Sequence, residues 1–418
     1  MKPLQIIRES LQSAVKTIGV NKLRTILSLL GVTIGIFSII TVLTVLDSLE
    51  SNIREDLASL GEDVIYIDKM PWAPENGEEY EWWEYIKRPV PTLKEYQELK
   101  KILHKSAGIS FVAGSMQTIQ YRNNSAENTQ IWGVSEGIDI TRSFELEKGR
   151  FFTEYEFRTG RNFAIIGNSI ATKLFNKTDP LNKSFKIGDQ KVQVIGVFKK
   201  EGKSMLGGGS VDDIIWLPVN YFKTFVNIRD ERTNPGIWVK AAEGVTVSEL
   251  KDEIRGAMRS IRRLKPAARD NFALNQTSLL NAGVSQIFTI INLAGWIIGL
   301  FSVLVGGVGI ANIMFVSVKE RTSIIGIQKA LGAKRQYILM EVLYESGILS
   351  IIGGIIGLLL IFAGTLFVNS SMDFKIYLSA GNIFTGIIIA ALVGIVAGIA
   401  PALKASRLNP VEAIASTF

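Results

Sequence analysis

Residues 25–60 read TILSLLGVTIGIFSIITVLTVLDSLESNIREDLASL, and this run decides the class of the fold. No side chain from Thr25 to Leu46 is charged, and about 20 apolar residues suffice to cross a hydrocarbon core of about 30 Å. The pattern does not stop at Asp47. Leu46, Leu49, Ile53, Leu57 and Leu60 recur at spacings of three and four, with Glu50, Arg54, Glu55 and Asp56 between them. That spacing predicts an amphipathic helix running on into water until Gly61, a residue suited to the left-handed position after a helix end. A helix from Thr25 to Leu60 would be about 54 Å long, and a rod of that length acts as a stalk. The alternative is a loop that leaves the helix after residue 49.

Three further stretches qualify as membrane helices: Ile287–Val318, Ile338–Val368 and Tyr377–Leu403. The second helix also has an amphipathic approach, through Leu279, Leu280, Val284 and Ile287. The first helix is too long for a cleaved leader and lacks a small-residue cleavage site, so it reads as retained. Lys2, Arg8, Lys16, Lys22 and Arg24 precede it against Glu9 alone. Lys319, Arg321, Lys329, Lys334 and Arg335 follow the second helix against Glu320, and Lys404 and Arg407 follow the fourth against Glu412. Basic residues in short flanks mark the cytoplasmic side. Both termini and the 319–337 loop are therefore expected in the cytoplasm, and residues 50–284 outside it. The excess over the chain's net +7 leaves everything else slightly acidic, so the basic charge is a topology signal and predicts no nucleic-acid partner.

The fold class expected is a membrane α-helical protein with four TM helices plus an α+β extracytoplasmic domain on a helical stalk. Its segments are a cytoplasmic amphipathic helix (1–24), TM helix 1 with stalk (25–60) and an outer domain (61–275). Stalk and TM helix 2 (276–318), a cytoplasmic loop (319–337) and TM helix 3 (338–368) follow. A short outer loop (369–376), TM helix 4 (377–403) and a cytoplasmic tail (404–418) complete the chain. Leu4, Ile7, Leu11, Val15 and Ile18 share one face of the first segment, which suits the inner membrane surface. The outer domain is expected in two subdomains, the inner one about 110–235. Its elements include a helix at Thr92–Leu103 and strands at Asp63–Asp68, Phe163–Ile166, Lys191–Phe198, Ile214–Leu217 and Gly236–Lys240.

Each membrane segment holds a pair of glycines four apart: Gly31/Gly35, Gly295/Gly299, Gly353/Gly357 and Gly394/Gly398. In lipid, burial alone does not drive helices together, and small residues let backbones approach. The pairs predict either a compact bundle or a dimer face. In the outer domain, Pro71–Pro91 sets Trp72, Tyr80, Trp82, Trp83 and Tyr85 among glutamates. This cluster is either a contact for a partner or substrate, or a segment folded back on the domain. Residues 203–210, with Gly207–Gly209, read as a loop.

Several chemistries are excluded. There is no cysteine and only one histidine, His104, so a two-His metal site or a Cys nucleophile cannot be built. No serine lies in a Gly-x-Ser-x-Gly setting. Gly202-Lys203-Ser204 imitates the end of a phosphate-binding loop, but the glycine required earlier is Val197. No catalytic residue, cofactor or metal is expected in this chain; if ATP drives it, ATP and Mg sit in another.

The chain resembles the MacB and FtsX-type permease family of ABC transporters. The resemblance rests on Asn21–Thr25 with Leu30–Gly35, on Val318–Thr322 with Ile325–Ala333, and on Pro401–Ala402 with Leu408–Ala413. In the outer domain it rests on Gly149–Phe152, Ile165–Gly167 and Val194–Val197, which are similar to the family's periplasmic core domain. The resemblance implies a non-catalytic subunit in the inner membrane, dimeric with a second copy or a paralogue, and served by two copies of an ABC ATPase. It implies an ATPase-coupling loop at Glu320, Arg321, Thr322, Ile325, Gly326, Gln328, Lys329, Ala330, Leu331, Gly332 and Ala333. It also implies mechanotransmission: nucleotide-driven motion carried by the stalks to a substrate handled outside. The chain departs from the family at Ile324 and Gln328, where an acid and a base are usual. Glu345, with Glu341 one turn before it, is expected to play a structural role near the cytoplasmic end of helix three.

The expected function is periplasmic export or efflux with an adaptor. The alternatives are release of lipoproteins to a carrier and, in another class, FtsX-like regulation of a cell-wall hydrolase.

Overall fold

The computed structural model describes residues 22–74, 80–176, 178–202, 210–371 and 376–415. The amphipathic segment expected before Lys22 and the loop at 203–209 lie outside the described residues. The chain forms two compact units, residues 1–50 with 287–418 and residues 51–286.

Helix α1 spans Lys22–Ser59, so the uncharged run and the amphipathic run belong to one helix. Gly61 follows with φ +88°, the left-handed conformation glycine adopts without a Cβ penalty. Among the described residues the outer unit then builds ten strands: β1 (Val64–Asp68), β2 (Ser106–Tyr121), β3 (Asn124–Val134), β4 (Leu146–Gly149), β5 (Phe163–Ile166), β6 (Ser184–Ile187), β7 (Gln190–Phe198), β8 (Ile214–Pro218), β9 (Gly236–Ala241) and β10 (Ala273–Gln276). They join one sheet in the order β10-β1-β9-β2-β3-β8-β5-β7-β4, with β6 against β2 and β7. β3–β8 and β5–β7 are parallel and the other pairings antiparallel. The two expected subdomains are therefore not separated by a break: a single sheet passes through both.

Strand periodicity of two sorts the side chains into two cores. Ile65, Ile67, Phe111, Ile215, Leu217, Ile237 and Val239 face helices α2 (Leu93–Ile102), α3 (Asn168–Phe175) and α4 (Val247–Ile261), which contribute Leu99, Leu174, Leu250 and Ile254. Val64, Tyr66, Val112, Ile214, Trp216 and Trp238 face the other way. Thr92 caps α2 and Thr246 caps α4, each in a reciprocal box with a glutamate three residues on. The strand signals quoted from the sequence miss β2 and β3. Their middle and distal positions alternate with exposed polar residues, and their turn at Arg122 lacks glycine.

The second unit is helical. α5 spans Thr277–Glu320, α6 Thr322–Ala330, α7 Arg335–Ser371, α8 Ala380–Arg407 and α9 Pro410–Ala415. With α1, the helices α5, α7 and α8 are long and apolar enough to cross a membrane, by length and composition. The fourth membrane helix begins at Ala380 and not at Tyr377, because Ser379 caps it through a bond from the Asn382 amide. Tyr377 instead donates its amide to Ser48 Oγ at 3.2 Å.

Seven of the eight paired glycines sit where a side chain would meet a neighbouring helix. A Cβ on Gly35 would lie 2.8 Å from the Ser302 carbonyl, one on Gly299 2.4 Å from Ile39, and one on Gly357 3.2 Å from the Thr33 carbonyl. Gly394 and Gly398 press on Ser350 and Ser346, Gly353 on Val32, and Gly295 on Val42 and Leu46. Gly31 differs, since its own Cβ direction is open and its carbonyl is what Gly306 approaches. Of the two readings of the pairs, these contacts within one chain support the compact bundle.

Candidate functional site: the coupling helix and its cradle

The chain turns sharply after α5. Arg321 ends that helix, its amide donating to the Ser317 carbonyl at 3.1 Å, and α6 starts at the next residue. Thr322 Oγ1 donates back to the carbonyls of Val318 and Lys319 at 3.1 and 2.9 Å. At the other end Gly332 takes φ +96°, and the amides of Gly332 and Ala333 close the last turn onto Lys329 and Gln328. A β-carbon is disfavoured at that left-handed residue, which explains why glycine separates α6 from α7.

Three contacts fix α6. Lys329 Nζ donates to the carbonyls of Ser406 and Leu408 at 3.0 and 2.5 Å, at the C-terminal end of α8. A cation there satisfies carbonyls that have no helical partner and complements the helix dipole. Arg321 Nη1 reaches Glu345 Oε2 at 3.3 Å, and Glu345 is buried on α7. Gly326 lies against α9: a Cβ on it would be 2.8 Å from the Ala413 Cβ and 3.1 Å from Ile414. Ile325 and Ala413 are buried beside it.

The predicted coupling residues therefore divide in two. Ile325, Gly326 and Lys329 are structural, holding the helix to its cradle, with Arg321 and Thr322 anchoring its start. Ala330 and Leu331 face outward, Leu331 at 85% exposure. Gly326 is thus inaccessible to a partner, contrary to a role as a docking contact, because α9 covers it. Ile327 was not among the predicted residues, yet it is exposed with Ile324. Ile324, Ile327 and Leu331 recur at spacings of three and four, a helical face legible in the sequence. Gln328 is half-buried, as is Ala333.

The aromatic segment also divides. Tyr85 is buried, and Trp72 packs on Tyr66 at 4.9 Å while its amide donates to Asn275 Oδ1 at 2.9 Å. Tyr80 donates its hydroxyl to the Pro71 carbonyl at 2.8 Å. Trp82 and Trp83 stand out furthest, 56% and 48% exposed and edge-to-face at 5.9 Å, and Tyr80 is 37% exposed. The five do not form one exposed cluster; residues 75–79 between them lie outside the described residues. Among the described residues no group of three or more His, Asp or Glu is placed to hold a metal.

Comparison with known proteins gives the family. Residues 25–257 match the model of the MacB-like periplasmic core domain, and residues 296–410 that of the FtsX-like permease C-terminal region. The chain belongs to the MacB/FtsX-type permease family. This MacB/FtsX-type permease is 30% identical to the uncharacterized ABC transporter permease YknZ of Bacillus subtilis, over 97% of this chain and 98% of that one. It is 31% identical to the macrolide export ATP-binding/permease protein MacB of Neisseria gonorrhoeae over 97% of this chain. It spans 61% of the length of that relative. The extracellular domain of a YknZ from Gram-positive bacteria matches 50% of this chain and 98% of its own, at 23% identity and a TM-score of 0.38. Within the family's C-terminal region, the matched residues include α6, its cradle on α8 and the start of α9.

Proposed function

We propose that this permease couples ATP hydrolysis by a separate ABC ATPase to export of a substrate handled outside the cytoplasmic membrane. The observation that carries the reading is the apolar face of Ile324, Ile327 and Leu331 on a helix fixed from behind by Lys329, Gly326 and the Arg321–Glu345 pair. An exposed apolar patch on a rigid helix suits a protein partner. The basic flanks put this helix, both termini and α9 in the cytoplasm, where an ATPase holding ATP and Mg would dock. Two permease copies, or this chain and a paralogue, would receive two ATPases. In the departures at Ile324 and Gln328 an apolar/amide pair replaces a charge pair, so the partner's groove should be altered to match.

Push on α6 would pass to α8 through Lys329 and to α7 through Glu345. Helices α1 and α5 run on into residues of the outer unit, where Arg54 Nη2 donates to Ser285 Oγ at 2.9 Å and Thr277 Oγ1 to the Gly61 carbonyl at 2.6 Å. Such ties would let the two stalk ends move together.

The test is co-purification of the tagged full chain from its native membrane, followed by ATPase assays in nanodiscs. Recovery of an ABC ATPase with an adaptor, and its stimulation by the permease, supports export. Recovery with a lipoprotein carrier or a cell-wall hydrolase would move the function to lipoprotein release or regulation. Recovery of no ATPase would overturn the coupling reading.

A further inference from the structure

On the sheet face opposite α2–α4, the outer unit forms a half-open cavity of about 1000 Å³. That is at the upper end of the roughly 300–1000 Å³ usual for small-molecule sites. Its walls are aromatic and soft. Tyr66 stands between Trp72 at 4.9 Å and Trp238 at 5.3 Å, Trp132 meets Trp238 at 5.7 Å, and Met70 and Met116 complete the lining. Such rings and thioethers accept varied apolar shapes.

Two arginines line this cavity: Arg232, whose side chain is 92% exposed and lies 4.0 Å from Asp230, and the buried Arg142. Arg142 follows the short helical turn Ile138–Thr141, is only 8% exposed, and holds its guanidinium 5.3 Å from the Trp132 ring centroid. It has no hydrogen-bond or ion-pair partner among the described residues. Burial pulls its pKa down, against the opposing pull of Tyr66 and Glu201. A guanidinium carries five N–H donors, and leaving a buried charge unanswered is costly. Arg262 in the same unit shows the ordinary solution: its side chain is as buried, and Glu95 accepts from its Nε at 2.7 Å.

Among the described residues no carboxylate of the cavity hydrogen-bonds or ion-pairs with Arg142, although Glu201 acts on it through space. Asp68 accepts from Asn275 Nδ2 at 2.9 Å, Asp56 is already partnered, and Glu55 and Glu201 are exposed to solvent. They bear on charge selection, because acidic surroundings repel polyanions while one negative charge can still meet Arg142. We infer that this cavity binds a small amphipathic organic anion, with its single carboxylate or sulfonate on Arg142 and its apolar body among Tyr66, Trp72, Trp132 and Trp238. The site is a property of the outer unit alone and does not depend on the coupling reading.

The test uses the full chain in detergent, with quenching of tryptophan fluorescence by 2-naphthoate and by its uncharged isostere 2-naphthamide. The acid should bind saturably and about tenfold more tightly than the amide, the size of one charge-assisted hydrogen bond. Arg142→Gln should erase that preference while leaving the near-ultraviolet circular dichroism of the fold intact. Met116→Glu, at an exposed wall position that does not threaten folding, should weaken the acid and spare the amide. Equal affinity of the wild-type chain for acid and amide would overturn the inference. So would a folded Arg142→Gln chain that keeps the preference, or acid binding unchanged in Met116→Glu.

Discussion

Lys329 Nζ lies 3.0 Å from the carbonyl oxygen of Ser406, 77 residues further along the chain. This contact ties the last turn of α6 to the end of α8, the last long helix. With the second bond to Leu408 it makes Lys329 a clamp, although the motif alone reads as a basic residue for a partner. Lys329→Met should remove bonds worth about 1.5–3 kcal/mol, less whatever solvent recovers at this half-buried site. The chain should stay folded but stimulate its ATPase several-fold less, and Lys329→Arg should restore part of the effect. Full stimulation by Lys329→Met, measured in nanodiscs, would show that α6 does not need the clamp.

Gly326 and Leu331 should separate docking from folding. Leu331→Asp changes an exposed position and should leave the melting temperature unchanged while abolishing ATPase binding. Gly326→Val puts a Cβ only 2.8 Å from the Ala413 Cβ, with two methyls beyond it, so it should lower bundle stability by about 1–3 kcal/mol. Equal melting temperatures for the two variants in detergent would contradict the placement of α9 over Gly326.

Gly394 gives the sharpest test of bundle packing. An added Cβ would lie 2.7 Å from the Ser346 carbonyl and 2.9 Å from the Gly347 Cα, and backbone atoms cannot rotate away. Gly394→Ala should therefore separate α7 from α8, at a cost of about 1–3 kcal/mol. Gly364→Ala, on the same bundle, meets nothing within 4 Å and should be neutral. Unfolding in mixed micelles compares the two.

Asp68 makes the outer unit sensitive to acid in an unusual direction. Burial pushes its carboxyl from 3.8 to about 6, partly offset by bonds from Asn275 and Trp72. The folded state thus holds this proton more tightly than the unfolded chain. Its contribution is fully present below about pH 3.8 and is lost as pH rises through about 6, amounting to about 3 kcal/mol at most. Between those limits the unit should gain stability as pH falls, and Asp68→Asn should flatten that slope. Tryptophan-monitored melting from pH 4 to 7 reads it out; an unchanged slope in the variant would assign the effect elsewhere.

Much of this protein was legible before its tertiary structure. Length and uninterrupted hydrophobicity identify four membrane helices, because lipid leaves the backbone no alternative to internal hydrogen bonding. Apolar spacing of three and four carries α1 past the membrane and ends it at Gly61, and ordered short motifs point to the family. Those signals are local, written in neighbouring residues. The face of Ile324, Ile327 and Leu331 was equally local, although the motif drew attention to Gly326 instead.

What the tertiary structure alone decided joins residues far apart in the chain. Gly326 and Ala413 are both small, and nothing in either stretch announces that one covers the other. The aromatic segment looks uniform in sequence, yet Trp72 packs on Tyr66 and Asn275 and Tyr85 is buried beside Tyr80 and Arg88, while Trp82 and Trp83 stay exposed. Arg142 is one of many basic residues until the sheet buries it beside Trp132 with no carboxylate hydrogen-bonded to it among the described residues. Burial and pairing depend on which segments meet, and a linear pattern of side chains records only the meetings within a few residues.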